Sequence, residues 1–201
     1  MALVTVIPST FTAPGLPTLG VLGFTDTFTR PDADTLGRTE GMPVLDWQIW
    51  AASEAEGRIR GGEAEFGRLT AGPCIAVVDG KTSDGTVEAT LGKIDGSQSG
   101  IAFRASGSGD YWSLRNVGSQ YRLYSLVNNT ATQIEASSAV TPAVGHKIRA
   151  VLSGDTITCY AEGVELFTHT SPEHADNTHH GLYNSNGIGL NSWRDVKVTA
   201  A

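Results

Sequence analysis

Along most of the chain, apolar and polar residues alternate with a period of two rather than 3.6, which predicts strands and not helices. The stretch DGTVEATLGKI shows it most cleanly: Val87, Ala89 and Leu91 fall on one side, Thr86, Glu88 and Thr90 on the other. The organising stretch is residues 100–126, GIAFRASGSGDYWSLRNVGSQYRLYSL. It reads as three short strands joined by the turns SGSG and GS. Strict alternation sends Ile101, Phe103, Ala105, Trp112 and Leu114 to a core face. Arg104, Tyr111, Ser113, Arg115, Arg122 and Tyr124 then share the opposite face, which is both aromatic and basic.

Other strands follow from the same rule. FTDTFT places Phe24, Asp26 and Phe28 on one face, and WQIW puts Trp47 and Trp50 on opposite faces. EGRIRGGEAEFG gives two short strands around Gly61 and Gly62, and CIAVV is a buried strand. Asn128-Asn129 is a two-residue hairpin signal, because Asn tolerates positive φ. TATQIEASSAV, HKIRAVL, TITCYA, VELFTH, HHGLYNS, GIGL and SWRDVKVTA complete the set. About a dozen strands with turn signals every 8–12 residues or so predict an all-β, antiparallel two-sheet jelly-roll sandwich, its last strand beside its first. Asp26 and Asp195 alternate in phase with aromatic residues, so each is expected to be hydrogen-bonded and to help close the sandwich.

Residues 1–23 differ from this pattern. They form an apolar, uncharged arm punctuated by Pro8, Pro14 and Pro17, with Val4, Val6, Ile7 and Phe11 as its candidate contacts. Two readings stay open: the arm packs along a neighbouring subunit or adds a strand to one, or it lies on its own domain. Without a basic start or an unbroken apolar run it does not read as a signal peptide. The domain proper is assigned to residues 24–201.

Composition narrows the partners. Fourteen Lys and Arg against 21 Asp and Glu give a net charge of −7. That sign disfavours a nucleic-acid or anionic-membrane binder, and no stretch has the length of a membrane span. Cys74 and Cys159 each sit in an apolar strand and read as buried free thiols. His169, His174, His179 and His180 crowd one loop with Glu173 and Asp176, but their spacing matches no known ligand set; no metal or cofactor is expected.

The stretch DTFTRPDADTLGRTEGMPVLDWQIWAASEAEGRIRGGEAEFG resembles the opening of concanavalin-A-like jelly rolls in minor tail proteins of phages that infect actinobacteria. The matching positions are Asp26, Phe28, Arg30, Leu36, Gly37, Trp47, Gly57, Ile59, Gly61 and Ala64. GIAFRASGSGDYWSLR, GHKIRAVLSGDTITCYAEGVEL, HHGLYNS and WRDVKV are similar to later landmarks, so the resemblance spans residues 24–201. It implies a lectin-like or laminin-G-like sandwich carried on a virion, in several copies, among other tail or capsid proteins. It implies binding to host-surface glycan without fixing which one; host cell-wall polysaccharide is the candidate partner. The alternative is a structural decoration protein that binds only protein neighbours.

Catalysis is weighed against the same fold. Glycoside hydrolases of the laminarinase type carry E-x-D-x-x-E on a strand, because two carboxylates must flank the scissile bond. Glu54/Glu56 and Glu63/Glu65 share strand faces but lack the rest of that motif, and no G-x-S-x-G elbow is present. The chain is therefore expected not to be an enzyme. Asp32 and Asp34 are the loop carboxylates eligible for a laminin-G-type calcium site. The candidate glycan residues are Arg104, Tyr111, Arg115, Arg122 and Tyr124, since rings pack on sugar C–H groups and guanidinium groups donate to hydroxyls. A protein interface would use the same residue types.

Overall fold

The computed structural model describes residues 23–51, 54–69, 72–95, 98–185 and 190–201; these form strands, turns and loops without a helix. The arm candidates Val4, Val6, Ile7 and Phe11, and most of GIGL, lie outside the described residues. In chain order the strands are β1 (Gly23–Asp26), β2 (Gln48–Ala51), β3 (Ala55–Arg60), β4 (Glu63–Leu69), β5 (Cys74–Asp79), β6 (Gly85–Ile94), β7 (Ser99–Gly107) and β8 (Asp110–Val117). They continue with β9 (Gln120–Val127), β10 (Thr130–Ser137), β11 (Lys147–Ser153), β12 (Thr156–Ala161), β13 (Val164–Thr170), β14 (His179–Asn184) and β15 (Asn191–Ala200).

Every pairing is antiparallel. One sheet runs β13-β12-β11-β6-β15-β4-β3, with β1 also paired to β15; the other runs β10-β9-β8-β7-β14-β5-β2. First and last strands are neighbours, Phe24 opposite Val198 and Asp26 opposite Val196, as a jelly roll requires. The Asn128-Asn129 turn joins β9 to β10 with φ of 50° and 63°, the left-handed pair that matches strand twist in a two-residue hairpin.

The core lies between the sheets. Val87, Ala89 and Leu91 from β6 and Ile148, Ala150 and Leu152 from β11 meet Ile101, Phe103, Trp112, Leu114 and Leu182 from the other sheet. Each large apolar side chain buried here contributes about 1.5–3 kcal/mol before chain entropy is subtracted. Cys74 and Cys159 are buried free thiols in this core.

The buried carboxylate of Asp26 is fully hydrogen-bonded. It accepts from the Phe28 amide (3.0 Å), both Arg30 terminal nitrogens (2.6 and 3.1 Å) and Trp47 Nε1 (2.7 Å). Trp47 packs edge-on to Phe24, with ring centroids 5.7 Å apart. The first strand is thereby tied to the segment that leads into β2. Asp195 accepts from the Thr90 amide at 3.1 Å, joining β15 to β6.

Two parts of the alternation reading need correction, both at Arg104. Its φ is +49°, and the register of β7 against β8 shifts between Phe103 and Gly107. An inserted residue in left-handed geometry breaks the period of two. Ala105 consequently leaves the core face and joins the outer side of the sheet with Ala102 and Tyr111. Arg104, expected on that outer side, is instead wholly buried. Its Nε donates to Ser83 O (3.0 Å), and Nη2 donates to Asp84 Oδ1 (2.9 Å) and Gly154 O (2.6 Å). These acceptors border β6 and the β11–β12 turn, so the Arg104 side chain lies between the sheets, not on the outer face, and pins one to the other.

Candidate functional site

The face of the seven-stranded sheet turned away from the core carries a second, smaller cluster: Ile75, Val77, Ala102, Ala105, Tyr111, Leu126 and Tyr183, with Trp50 and Tyr124 against it. Strand register explains how it assembles. One row crosses the sheet as Trp50, Ile75, Tyr183, Gly100, Arg115 and Arg122. Gly100 has no side chain to separate its neighbours, so the Arg115 guanidinium reaches over it to the Tyr183 ring, 4.1 Å from the centroid. Tyr124 closes the other side at 4.0 Å, which sandwiches the cation between two rings. Arg115 Nε donates to Ser113 Oγ at 2.9 Å and Nη1 to Gln98 Oε1 at 3.1 Å. Burial pushes the Arg115 pKa down, against the pull of the neighbouring tyrosines.

The five candidate residues therefore divide. Tyr111, Arg115, Arg122 and Tyr124 do share the outer face, and Arg104 does not. Tyr111 and Arg115 are only 1% and 5% exposed, so they form the floor of this face rather than projecting from it. Arg122 and Tyr124 are half-buried near the β10 side, where Arg122 Nη1 donates to Gln133 Oε1 at 2.9 Å.

At the opposite edge lies an open pocket of about 360 Å³, lined by Ile49, Trp50, Ala51, Ser106, Gly107 and Ser108. The half-buried Trp50 ring packs against His179 in a tilted arrangement, with centroids 4.7 Å apart and 43° between the ring planes. Burial holds His179 below its usual pKa, although Asp79 pulls the other way. Asp79 is itself fixed by Lys81 Nζ (2.5 Å) and Thr178 Oγ1 (2.7 Å); these bonds outweigh its partial burial and hold the carboxyl at about 2. An indole face beside two serine hydroxyls offers apolar stacking and hydrogen bonding at one place. The sequence reading missed this pocket. The placement of Trp47 and Trp50 on opposite faces was the signal available, but SGSG reads only as a turn.

The remaining candidates are accounted for elsewhere. His169 and His174 flank the Trp112 ring at 5.6 and 6.5 Å. His180 is buried, with Nδ1 accepting from the Arg104 amide (3.3 Å) and Nε2 donating to Thr82 O (2.8 Å). That arrangement needs the neutral imidazole, and burial pushes its pKa down to about 4. Among the described residues no group of three or more His, Cys, Asp or Glu is placed to hold a metal ion. Asp32 accepts from the Gly61 amide at 2.8 Å and Asp34 pairs with Arg60, so both carboxylates brace the β3–β4 turn. Glu65 pairs with Arg58 at 2.8 Å and Glu63 with Arg194 at 3.2 Å, on the eight-stranded sheet.

No family model and no curated protein sequence matches the chain. Solved structures do match its fold. A prokaryotic β-1,3-1,4-glucanase (lichenase) derived from a mouse hindgut metagenome superposes with a TM-score of 0.59 at 11% identity, over 90% of this chain and 100% of that one. The β-glucanase of Bacillus licheniformis gives 0.57 at 12%, over 90% and 99%. The carbohydrate-binding module CBM66 of Bacillus subtilis gives 0.53 at 14%, over 77% and 91%. These likenesses establish the fold as a concanavalin-A-like jelly roll. They also overturn the expectation, drawn from the missing E-x-D-x-x-E motif, that the chain is not an enzyme. The sandwich is shared mainly with glycoside hydrolases, so the lack of one local motif does not carry that exclusion.

Proposed function

We propose that this chain is a glycan-binding module whose ligand face is the outer side of the seven-stranded sheet, entered at the pocket beside Trp50. The observation that carries the reading is that pocket: an indole face next to Ser106 and Ser108, open to solvent and continuous with a floor of tyrosines and Arg115. Sugar rings present C–H faces to aromatic surfaces and hydroxyls to polar groups, and this site supplies both. The sandwich it shares with a carbohydrate-binding module and with glucanases supports the same reading.

The resemblance of residues 24–201 to phage tail modules supports a finer placement, on a virion and in the tail, with host cell-wall polysaccharide as ligand. Several copies would then turn weak single-site binding into avid attachment. This placement rests on the sequence resemblance alone.

The test is co-sedimentation with insoluble β-glucan and with bacterial cell-wall polysaccharide, beside an assay for released reducing ends. Trp50→Ala is expected to weaken binding about tenfold, equivalent to about 1.4 kcal/mol, when read well below the melting temperature of the variant, which also loses the ring's packing against the outer-face cluster. No binding to any polysaccharide by bead-displayed protein would refute the module. Release of reducing ends would make the same face a hydrolytic one.

A further inference from the structure

The eight-stranded sheet carries, on its outer face, a row of charges with two cations left over. Val87, Ala89, Ile148, Ala150, Val196 and Val198 point into the core. Alternation therefore turns Thr86, Glu88, Arg149, Lys197 and Thr199 outward. Register lines up Lys197 of β15, Glu88 of β6, Arg149 of β11 and Tyr160 of β12 in one row across four strands. Thr199 and Thr86 face each other two residues further along β15 and β6. Thr86, Glu88, Arg149, Lys197 and Thr199 line an open pocket of about 180 Å³.

Glu88 stands between the two cations of its row and pairs with neither. Its carboxylate goes instead to Lys147 Nζ at 3.1 Å, which takes up its charge. Among the described residues, the side chains of Arg149, Lys197, Thr86 and Thr199 make no hydrogen bond or ion pair. The Arg149 guanidinium lies over the Tyr160 ring, 4.3 Å from its centroid, with Nε buried and unpartnered. The ring holds the guanidinium in place before any ligand arrives, which lowers the ordering cost of binding.

We propose that this pocket binds an acidic oligosaccharide. Its anionic groups, carboxylate or sulfate, meet Arg149 and Lys197, and its hydroxyls meet Glu88, Thr86 and Thr199. The row reads cation, carboxylate, cation, so its complement is anion, hydroxyl, anion. The backbones of Lys197 and Arg149 lie two strand spacings apart, roughly 10 Å, which suits two anionic groups on one ligand chain. An acidic peptide satisfies both cations but brings no hydroxyl to Glu88, whose charge repels a further carboxylate. A neutral glycan satisfies Glu88 and the threonines but leaves both cations without a counter-charge. The pocket is smaller than the roughly 300–1,000 Å³ of a drug-sized site, so it seats one sugar unit while its neighbours lie along the sheet. It is on the far side of the sandwich from the Trp50 pocket, shares no residue with it, and does not depend on what that pocket binds.

The experiment is isothermal titration calorimetry of the full chain at low salt with trigalacturonate, its neutral methyl ester, a sulfated trisaccharide and tetraglutamate. Trigalacturonate or the sulfated trisaccharide is expected to bind, at least about tenfold more tightly than the methyl ester or the peptide, and to weaken as salt is raised. Arg149→Gln and Lys197→Gln should each weaken that binding about fivefold, the loss of one exposed charge pair. Lys197 is exposed, so its variant reads the site even where Arg149→Gln, which gives up the contact with Tyr160, lowers the melting temperature. Three results would overturn the proposal: no binding of either acidic saccharide at millimolar concentration, equal binding of the methyl ester or of tetraglutamate, or unchanged affinity in Lys197→Gln. A failed β-glucan assay counts only against the Trp50 pocket, because β-glucan carries no anionic group.

Discussion

Arg104→Ala tests whether the residue at the β7 bulge holds the sheets together or contacts a ligand. The side chain is wholly buried and makes three bonds to the opposite sheet's loops, at 3.0, 2.9 and 2.6 Å. Hydrogen bonds from a charged donor are worth about 1.5–3 kcal/mol each. Two terms reduce the sum: Asp84 is 42% exposed and can rehydrate, and Nη1 is buried without a partner in the wild type. Truncation also leaves the Ser83 and Gly154 carbonyls short of a donor, and it opens a cavity. The expected loss is about 3–5 kcal/mol, or roughly 10 °C in Tm for a domain of this size. Arg104→Lys should lose less, because it retains one charged donor. Arg104→Gly should lie about 1 kcal/mol above the alanine variant, since only glycine relieves the left-handed φ of +49°. Urea unfolding followed by tryptophan fluorescence, with thermal melts by circular dichroism, measures all three. A loss under about 1 kcal/mol, or weaker polysaccharide binding at unchanged Tm, would refute the pinning role.

Other outcomes follow from the same geometry. Asp26→Ala removes the acceptor shared by Arg30, Trp47 and the Phe28 amide; it should cost about 3–5 kcal/mol in urea unfolding, and Asp26→Asn about half of that. His180 titrates at about 4 in the folded chain and near 6.5 when unfolded, so between those values the unfolded state binds the extra proton. Stability is then complete above pH 6.5 and falls by about 3 kcal/mol as pH drops to 4; a wild-type urea midpoint that falls no more over this window than that of His180→Gln would contradict it. Burial pushes the Cys74 and Cys159 thiols well up, and native protein should not react with Ellman's reagent until urea is added. Gly100→Ala places a Cβ 1.9 Å from Leu114 O, a clash with backbone that should cost about 2 kcal/mol or more and part Arg115 from Tyr183.

Much of the fold was legible in the chain because strand alternation is a local property. Val87, Ala89 and Leu91 had to share a face whatever their partners, and Asn128-Asn129 carried its turn geometry in its residue types. A carboxylate in phase with Phe24 and Phe28 had to find donors, and Asp26 did. The outer-face placement of Tyr111, Arg115, Arg122 and Tyr124 followed from the same period.

Tertiary structure decided the rest. Arg104 left its expected face because a bulge changes the phase of a strand, and the stretch around it carries no glycine at that position to announce positive φ. The setting of Arg115 between Tyr124 and Tyr183 depends on the strand order that makes β14 and β9 its near neighbours, which alternation does not encode. The Trp50 pocket joins residues near 50 and 107 over His179, positions distant in sequence that the order β7-β14-β5-β2 brings to one edge. The sequence determined which side chains share a face, since that depends on neighbours two residues away. Which faces are covered, and which residues meet across strands, depends on strand order, a property of the whole chain packing once around one core.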